Sequence, residues 1–151
     1  MKRKTDYLSI CIISISALLF MLFSCRKAAE VPNPDPPAAV AGQGEIVLED
    51  LLHSDKINIV DFYSDYCPPC VRIAPLLASL REKRKDIAVI KIDINRPGIK
   101  KIDWESPVAK QFNLRSIPYF MIFDGNKTRT HEGKEAYQHI MGLLKEENLI
   151  D

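Results

Sequence analysis

The stretch Asp61-Phe62-Tyr63-Ser64-Asp65-Tyr66-Cys67-Pro68-Pro69-Cys70, continued by Val71-Arg72-Ile73-Ala74-Pro75, decides the fold. The apolar run from Ile57 to Phe62 reads as a buried strand, and a helical pattern begins just after it. Cys67 and Cys70 stand three apart at that junction, close enough to close a small disulfide ring. The unpaired N–H groups and partial positive charge of a helix start favour a thiolate there. Cys67 is therefore expected to attack and Cys70, one turn inside, to resolve. Pro68 and Pro69 suit the first turn, where their missing N–H groups would have no intrahelical partner. These residues describe a redox site, and a thiol–disulfide oxidoreductase is the expected activity.

Strand, Asp61-Phe62-Tyr63, Cys67-Pro68-Pro69-Cys70 and the later Arg115-Ser116-Ile117-Pro118 together resemble the thioredoxin family. The resemblance runs from about Glu45 to the C-terminus. It departs from the family pattern at Tyr66, where thioredoxins usually carry Trp, and at the Pro-Pro centre between the cysteines. It implies an α/β fold with a central mixed sheet flanked by helices on both faces. It also implies a cis Ile117–Pro118 bond packed on the cysteine pair, with adjacent backbone offered to an extended substrate. Tyr66, Pro68, Ile117 and Pro118 are the expected substrate-binding residues. Pro75, inside the helix, matches a family proline and should kink it.

Asp61 sits in a run that otherwise prefers burial, and desolvation raises the pKa of a buried carboxyl. Such a group can take the proton from Cys70 during resolution, and thioredoxins carry an acid here; an edge-strand Asp facing water is the competing reading. Lys91, on the next strand, resembles a lysine paired with that acid; a solvated strand-end lysine is the competing reading. Trp104 is expected to anchor the long loop from Asn95 to Ser106. His53, His131 and His139 show no ligand-like spacing, and Cys67 and Cys70 alone supply two of the four donors zinc needs. No metal and no cofactor beyond the Cys67–Cys70 redox couple is expected.

The N-terminus carries an address. Lys2, Arg3 and Lys4 precede an apolar run from Leu8 to Phe23, the pattern of a secretory signal. Leu22-Phe23-Ser24-Cys25 resembles the lipobox of bacterial lipoproteins, with Cys25 as the lipidated residue; an uncleaved membrane anchor is the alternative. Cys11 would leave with the signal and Cys25 would be blocked by lipid, so one free pair remains. Pro32, Pro34, Pro36 and Pro37 mark residues 26–44 as an extended, partly polyproline tether with too few large apolar residues to fold. The expected organisation is a signal at 1–24, lipidated Cys25 and tether at 25–44, and a thioredoxin-like domain at 45–151.

The chain's net charge is +1, and the signal holds three basic residues and one acid, so the remainder is close to neutral. That balance gives no electrostatic case for nucleic-acid binding. About a hundred residues suffice for one compact domain. Within it the spacing predicts a short helix over 46–52, a strand over 87–94 and a helix over 106–112. A strand over 119–123 turns at Asp124-Gly125-Asn126 into 127–130, and a final helix covers 134–147. The resulting expectation is a monomeric, lipid-anchored domain of the bacterial cell envelope, outside the cytoplasm. It would exchange disulfides with protein substrates, chiefly as a reductase, drawing electrons from a membrane thiol reductase. The alternative is a non-catalytic binding module in which the disulfide is structural.

Overall fold

The structure, a computed structural model, describes residues 39–40 and 44–151. The predicted signal, Cys25 and most of the Pro/Ala-rich segment lie outside the described residues. The elements run β1 (Ala39–Val40), α1 (Leu48–Leu51), β2 (Ile57–Tyr63), α2 (Pro68–Lys83), β3 (Ile87–Asp93), α3 (Pro107–Gln111), β4 (Tyr119–Phe123), β5 (Arg129–Glu132) and α4 (Gly133–Glu146). The sheet order is β1-β3-β2-β4-β5. β2 pairs with β3 in parallel and with β4 antiparallel. The parallel step needs a crossover, which α2 supplies. The expected mixed sheet with helices on both faces is observed.

Side chains alternate along a strand, so each strand feeds two cores. Ile59, Ile87, Phe120 and Ile122 face α2 and α4, meeting Leu77, Leu80, Ile140 and Leu144. Val60, Phe62, Ile92 and Met121 face the other side, where Leu48 of α1 and Val108 of α3 cover them. Full burial of one such side chain is worth about 1.5–3 kcal/mol, so both faces contribute to holding the sheet. The same alternation dictates where Asp61 goes. Two residues beyond Ile59, it falls on the α2/α4 face, a carboxyl in an apolar layer.

Two expectations need correction. Ala39–Val40, assigned to the tether, pairs in parallel with Ile92–Asp93 at the sheet edge. Strand addition uses backbone groups, which a small-residue segment still has; the domain therefore begins earlier than residue 45. The second strand of the hairpin lies at 129–132 rather than 127–130. Asp124 Oδ1 accepts from the N–H groups of Asn126 and Thr128, and Lys127 takes a φ of 60°, which lengthens the turn. Ser106 caps α3 as expected, its Oγ accepting from the Ala109 N–H at 3.1 Å. Pro75 lies inside α2, which continues through it to Lys83.

Candidate active site

β2 ends at Tyr63, and a tight turn follows in which buried Ser64 accepts twice. Its carbonyl takes the Cys67 N–H at 3.0 Å and its Oγ takes the Tyr66 N–H at 3.1 Å. Cys67 is thereby held as the N-cap of α2, with Pro68 and Pro69 in the first turn. The prolines have no N–H to give, so the Cys70 amide is the first donor in the helix. It points at Cys67 Sγ, 3.3 Å away. An N–H aimed at sulfur from a helix start favours the thiolate once the pair is reduced. Cys67 and Cys70 are joined as a disulfide, their Cα atoms 5.3 Å apart.

The Ile117–Pro118 bond is cis, as the resemblance implied. Cys67 Sγ lies 3.6 Å from the Ile117 carbonyl oxygen. Ile117 and Ile102 pack against Tyr63, Cys67 and Cys70. Cys67 is only 2% exposed. In the oxidised pair Cys67 is covered by these two isoleucines. Pro68 is exposed, Tyr66 is 46% exposed, and Ile117 and Pro118 are half-buried. Beside them opens a cleft of about 380 Å³, walled by Pro69 and Ile73 of α2, Pro118, and Lys134 and Tyr137 of α4. Pro75 lies further along the same helix.

Asp61 is fully buried, and neither of its carboxylate oxygens has a hydrogen-bond partner among the described residues. Desolvation pushes its pKa up to about 7, against the opposing pull of the Lys91 charge. Lys91 stands opposite Asp61 in the β2–β3 register and is 4% exposed. The solvated-lysine reading is therefore set aside. Its Nζ sits over the Tyr63 ring, 4.4 Å from the centroid, a distance at which a cation is attracted to the ring face. Asp93, two residues along β3, is half-buried. Its carboxyl is raised by burial, although its Oδ1 accepts from the Asn95 N–H at 2.9 Å. Asp61 can thus be neutral or ionised near neutral pH, the property a proton acceptor for Cys70 requires.

The loop after β3 is built, not slack. The Asn95 amide donates to the carbonyls of Ile99 (3.0 Å) and Lys101 (2.6 Å). Arg96 clamps buried Asp103 through two hydrogen bonds of 2.7 and 3.0 Å. This framework turns Ile102 inward against the cysteine pair. Trp104 is 39% exposed, so Ile102, not Trp104, anchors the loop. Sequence reading missed Ile102; its signal was a single apolar residue enclosed by Lys100, Lys101 and Asp103. It also missed Tyr63 as the residue that meets both Lys91 and the cysteines. His131 and His139, read as unrelated, stack with ring centroids 4.8 Å apart, and neither borders the cysteine cluster.

A family model described as thioredoxin matches residues 44–146. The chain is 31% identical over 100 residues to a thioredoxin H-type of Brassica campestris, covering 66% of this chain and 68% of that protein. It is also 31% identical over 91 residues to chloroplastic thioredoxin F2 of Arabidopsis thaliana. That match covers 60% of this chain and 45% of the relative, so the chain spans under half of that protein's length. Among solved structures, a mutant thioredoxin from Halobacterium salinarum NRC-1 aligns at 25% identity with a TM-score of 0.48. The alignment covers 73% of this chain and 89% of that one.

Proposed function

The chain belongs to the thioredoxin family of thiol–disulfide oxidoreductases, and from that premise we propose that it is an exported, membrane-tethered member. It exchanges disulfides with protein substrates through Cys67 and Cys70, chiefly as a reductase, and works as a monomer. The observation that carries the redox reading is the Cys67 sulfur at the start of α2. It faces the Cys70 N–H on one side and the Ile117 carbonyl on the other.

In the reduced protein the Cys67 thiolate attacks one sulfur of a substrate disulfide. A mixed disulfide forms, and the other substrate sulfur leaves as a thiolate that takes a proton from solvent. Asp61, ionised, accepts the Cys70 proton. The Cys70 thiolate then attacks Cys67 Sγ and expels the second substrate thiolate, which is protonated in turn. Two electrons pass to the substrate, and the Cys67–Cys70 disulfide is left behind. Substrate backbone beside Ile117–Pro118 is held as an added strand, with Tyr66 and Pro68 forming the rim.

Residues 1–25 support export and anchoring, through the basic start, the apolar run and the lipobox-like ending at Cys25. An oxidised tethered domain needs a source of electrons, and a membrane thiol reductase in the same bilayer fits that need. The lipid-anchored domain would then lie on the outer side of the membrane that holds Cys25. Insulin reduction by the reduced protein, with Cys67→Ser as the control, tests the catalytic reading. Turnover absent in wild type as in Cys67→Ser would leave the disulfide a structural one.

A further inference from the structure

A second cleft lies at the end of the sheet away from the disulfide. It has a volume of about 420 Å³ and forms where α2 has ended at Lys83 and β3 begins at Ile87. Lys56, Arg81, Lys85 and His53 line it, with Glu82 as the acid among its walls. Ala88 and Val89 form its sheet side. Lys56 and Lys85 are both exposed. Asp86, the residue after Lys85, is held by Arg84 at 2.7 Å, so its charge is already matched. The cleft is a cationic hollow at the edge of β3, and it favours an anionic occupant.

The register of β1 leads to it. Ala39 and Val40 pair in parallel with Ile92 and Asp93, and a parallel register advances one residue for one. Followed four residues back, it would bring position 35 level with Ala88 and position 36 level with Val89, the two sheet residues of the cleft. Position 35 is Asp, the only charged residue between Pro32 and Ala38. Prolines such as those at 34, 36 and 37 suit an extended edge segment but have no N–H to add to a ladder. Two paired residues are fewer than an ordinary strand uses. A further hold on the segment falls to a side chain, and the charge of Asp35 is opposite to that of the cleft.

We propose that this cleft seats the chain's own residues 32–38, with the Asp35 carboxylate paired to Lys56 and Lys85. The chain is then fastened to the edge of β3 at two places four residues apart, by backbone at Ala39–Val40 and by charge at Asp35. It leaves the domain at the end of the sheet remote from Cys67. In a chain anchored at Cys25 the redox end then faces away from the membrane. That consequence rests on the anchored reading; the docking itself depends neither on the anchor nor on the redox chemistry.

The test is amide hydrogen exchange across Ala39 and Val40 in the full chain, read by NMR together with the Lys56 and Lys85 signals. Asp35→Asn should speed the exchange by up to about fivefold, the range of a solvent-screened ion pair. Salt at about 1 M should bring wild type to the same rate. Lys56→Gln combined with Lys85→Gln should do likewise, and Asp35→Asn should add nothing in that background. The reversed set Asp35→Lys, Lys56→Glu and Lys85→Glu should restore slow exchange. The proposal is overturned if Asp35→Asn exchanges as wild type, if its effect persists in the double-glutamine background, or if charge reversal leaves exchange fast. Inorganic phosphate probes for an outside occupant and should shift the Lys56 and Lys85 signals only in Asp35→Asn. Equal shifts in wild type and variant would give the cleft to an anion from solution and overturn its occupation by residues 32–38. Insulin reduction should be unchanged in Asp35→Asn, whereas Cys67→Ser should abolish reduction and leave the exchange as in wild type, which keeps the docking and the catalytic reading apart.

Discussion

Asp61→Asn isolates the cost of ionising a carboxyl in an apolar layer. The folded protein holds Asp61 at a pKa of about 7, against 3.8 for the unperturbed group. Because the folded value is the higher, the group adds stability where it is protonated. That contribution is complete below about pH 4 and is lost as pH rises through 7. A gap of roughly three pH units, at 1.36 kcal/mol each, amounts to about 4 kcal/mol. Asparagine has the shape of the neutral acid and does not ionise. Near pH 4 the variant and wild type should therefore match, whereas at pH 8 the variant should be more stable by about 4 kcal/mol. For a domain of this size that raises the melting temperature by about 15 °C or more. Urea unfolding of the oxidised proteins from pH 4 to pH 9 measures the divergence directly. Parallel stability curves, with a constant offset at every pH, would refute the argument, since the carboxyl would then not be titrating against burial. In the same variant, mixed disulfides through Cys67 should persist longer, because Cys70 has lost its proton acceptor.

In the reduced protein, iodoacetamide near neutral pH should modify Cys67 well before Cys70, and Ile102→Ala should accelerate the Cys67 reaction severalfold. Equal labelling of both thiols, or no effect of Ile102→Ala, would contradict the covering role of that side chain. The Arg96 guanidinium holds the Asp103 carboxyl below the usual range through its hydrogen bonds, so this pair stabilises the protein at neutral pH and stops doing so as pH falls. Arg96→Ala should lower the urea midpoint at pH 7 and leave it nearly unchanged near pH 2, and it should speed Cys67 alkylation by loosening the loop that carries Ile102. Cys25→Ala should abolish incorporation of labelled fatty acid and leave residues 1–24 attached, which mass spectrometry of the purified chain reads in one step.

The parts of the site that were legible in the sequence are those fixed by short-range geometry. Cys67, Pro68, Pro69 and Cys70 announce a helix start because their spacing and missing donors have meaning within one turn. Asp61 was legible because an acid in a run of Ile, Val and Phe favours burial, and the family resemblance, which has an acid there, weighed against a water-facing edge strand. The cis bond at Pro118 had no local signal and came from the family resemblance alone. What stayed hidden depends on where distant segments land. The contact of Lys91 with the Tyr63 ring exists only once β3 is laid beside β2 in one register. The burial of Ile102 follows from side-chain bonds across the loop by Asn95 and Arg96, and those polar residues read as ordinary loop composition. β1 escaped notice because Ala39 and Val40 are too few to form a pattern, while the edge of β3 needs only their backbone.

That two-residue strand has a mechanical consequence. β1 runs parallel to β3, so the chain enters it heading the way β3 does, toward the end of the sheet where the disulfide lies. Tension applied from the N-terminal side therefore points back along the strands, away from the redox end. It loads the β1–β3 bonds in shear, where they must yield together, and not in peeling, where they would open one by one. A pull from the N-terminal side would turn Cys67 and Ile117 away from the pulled end.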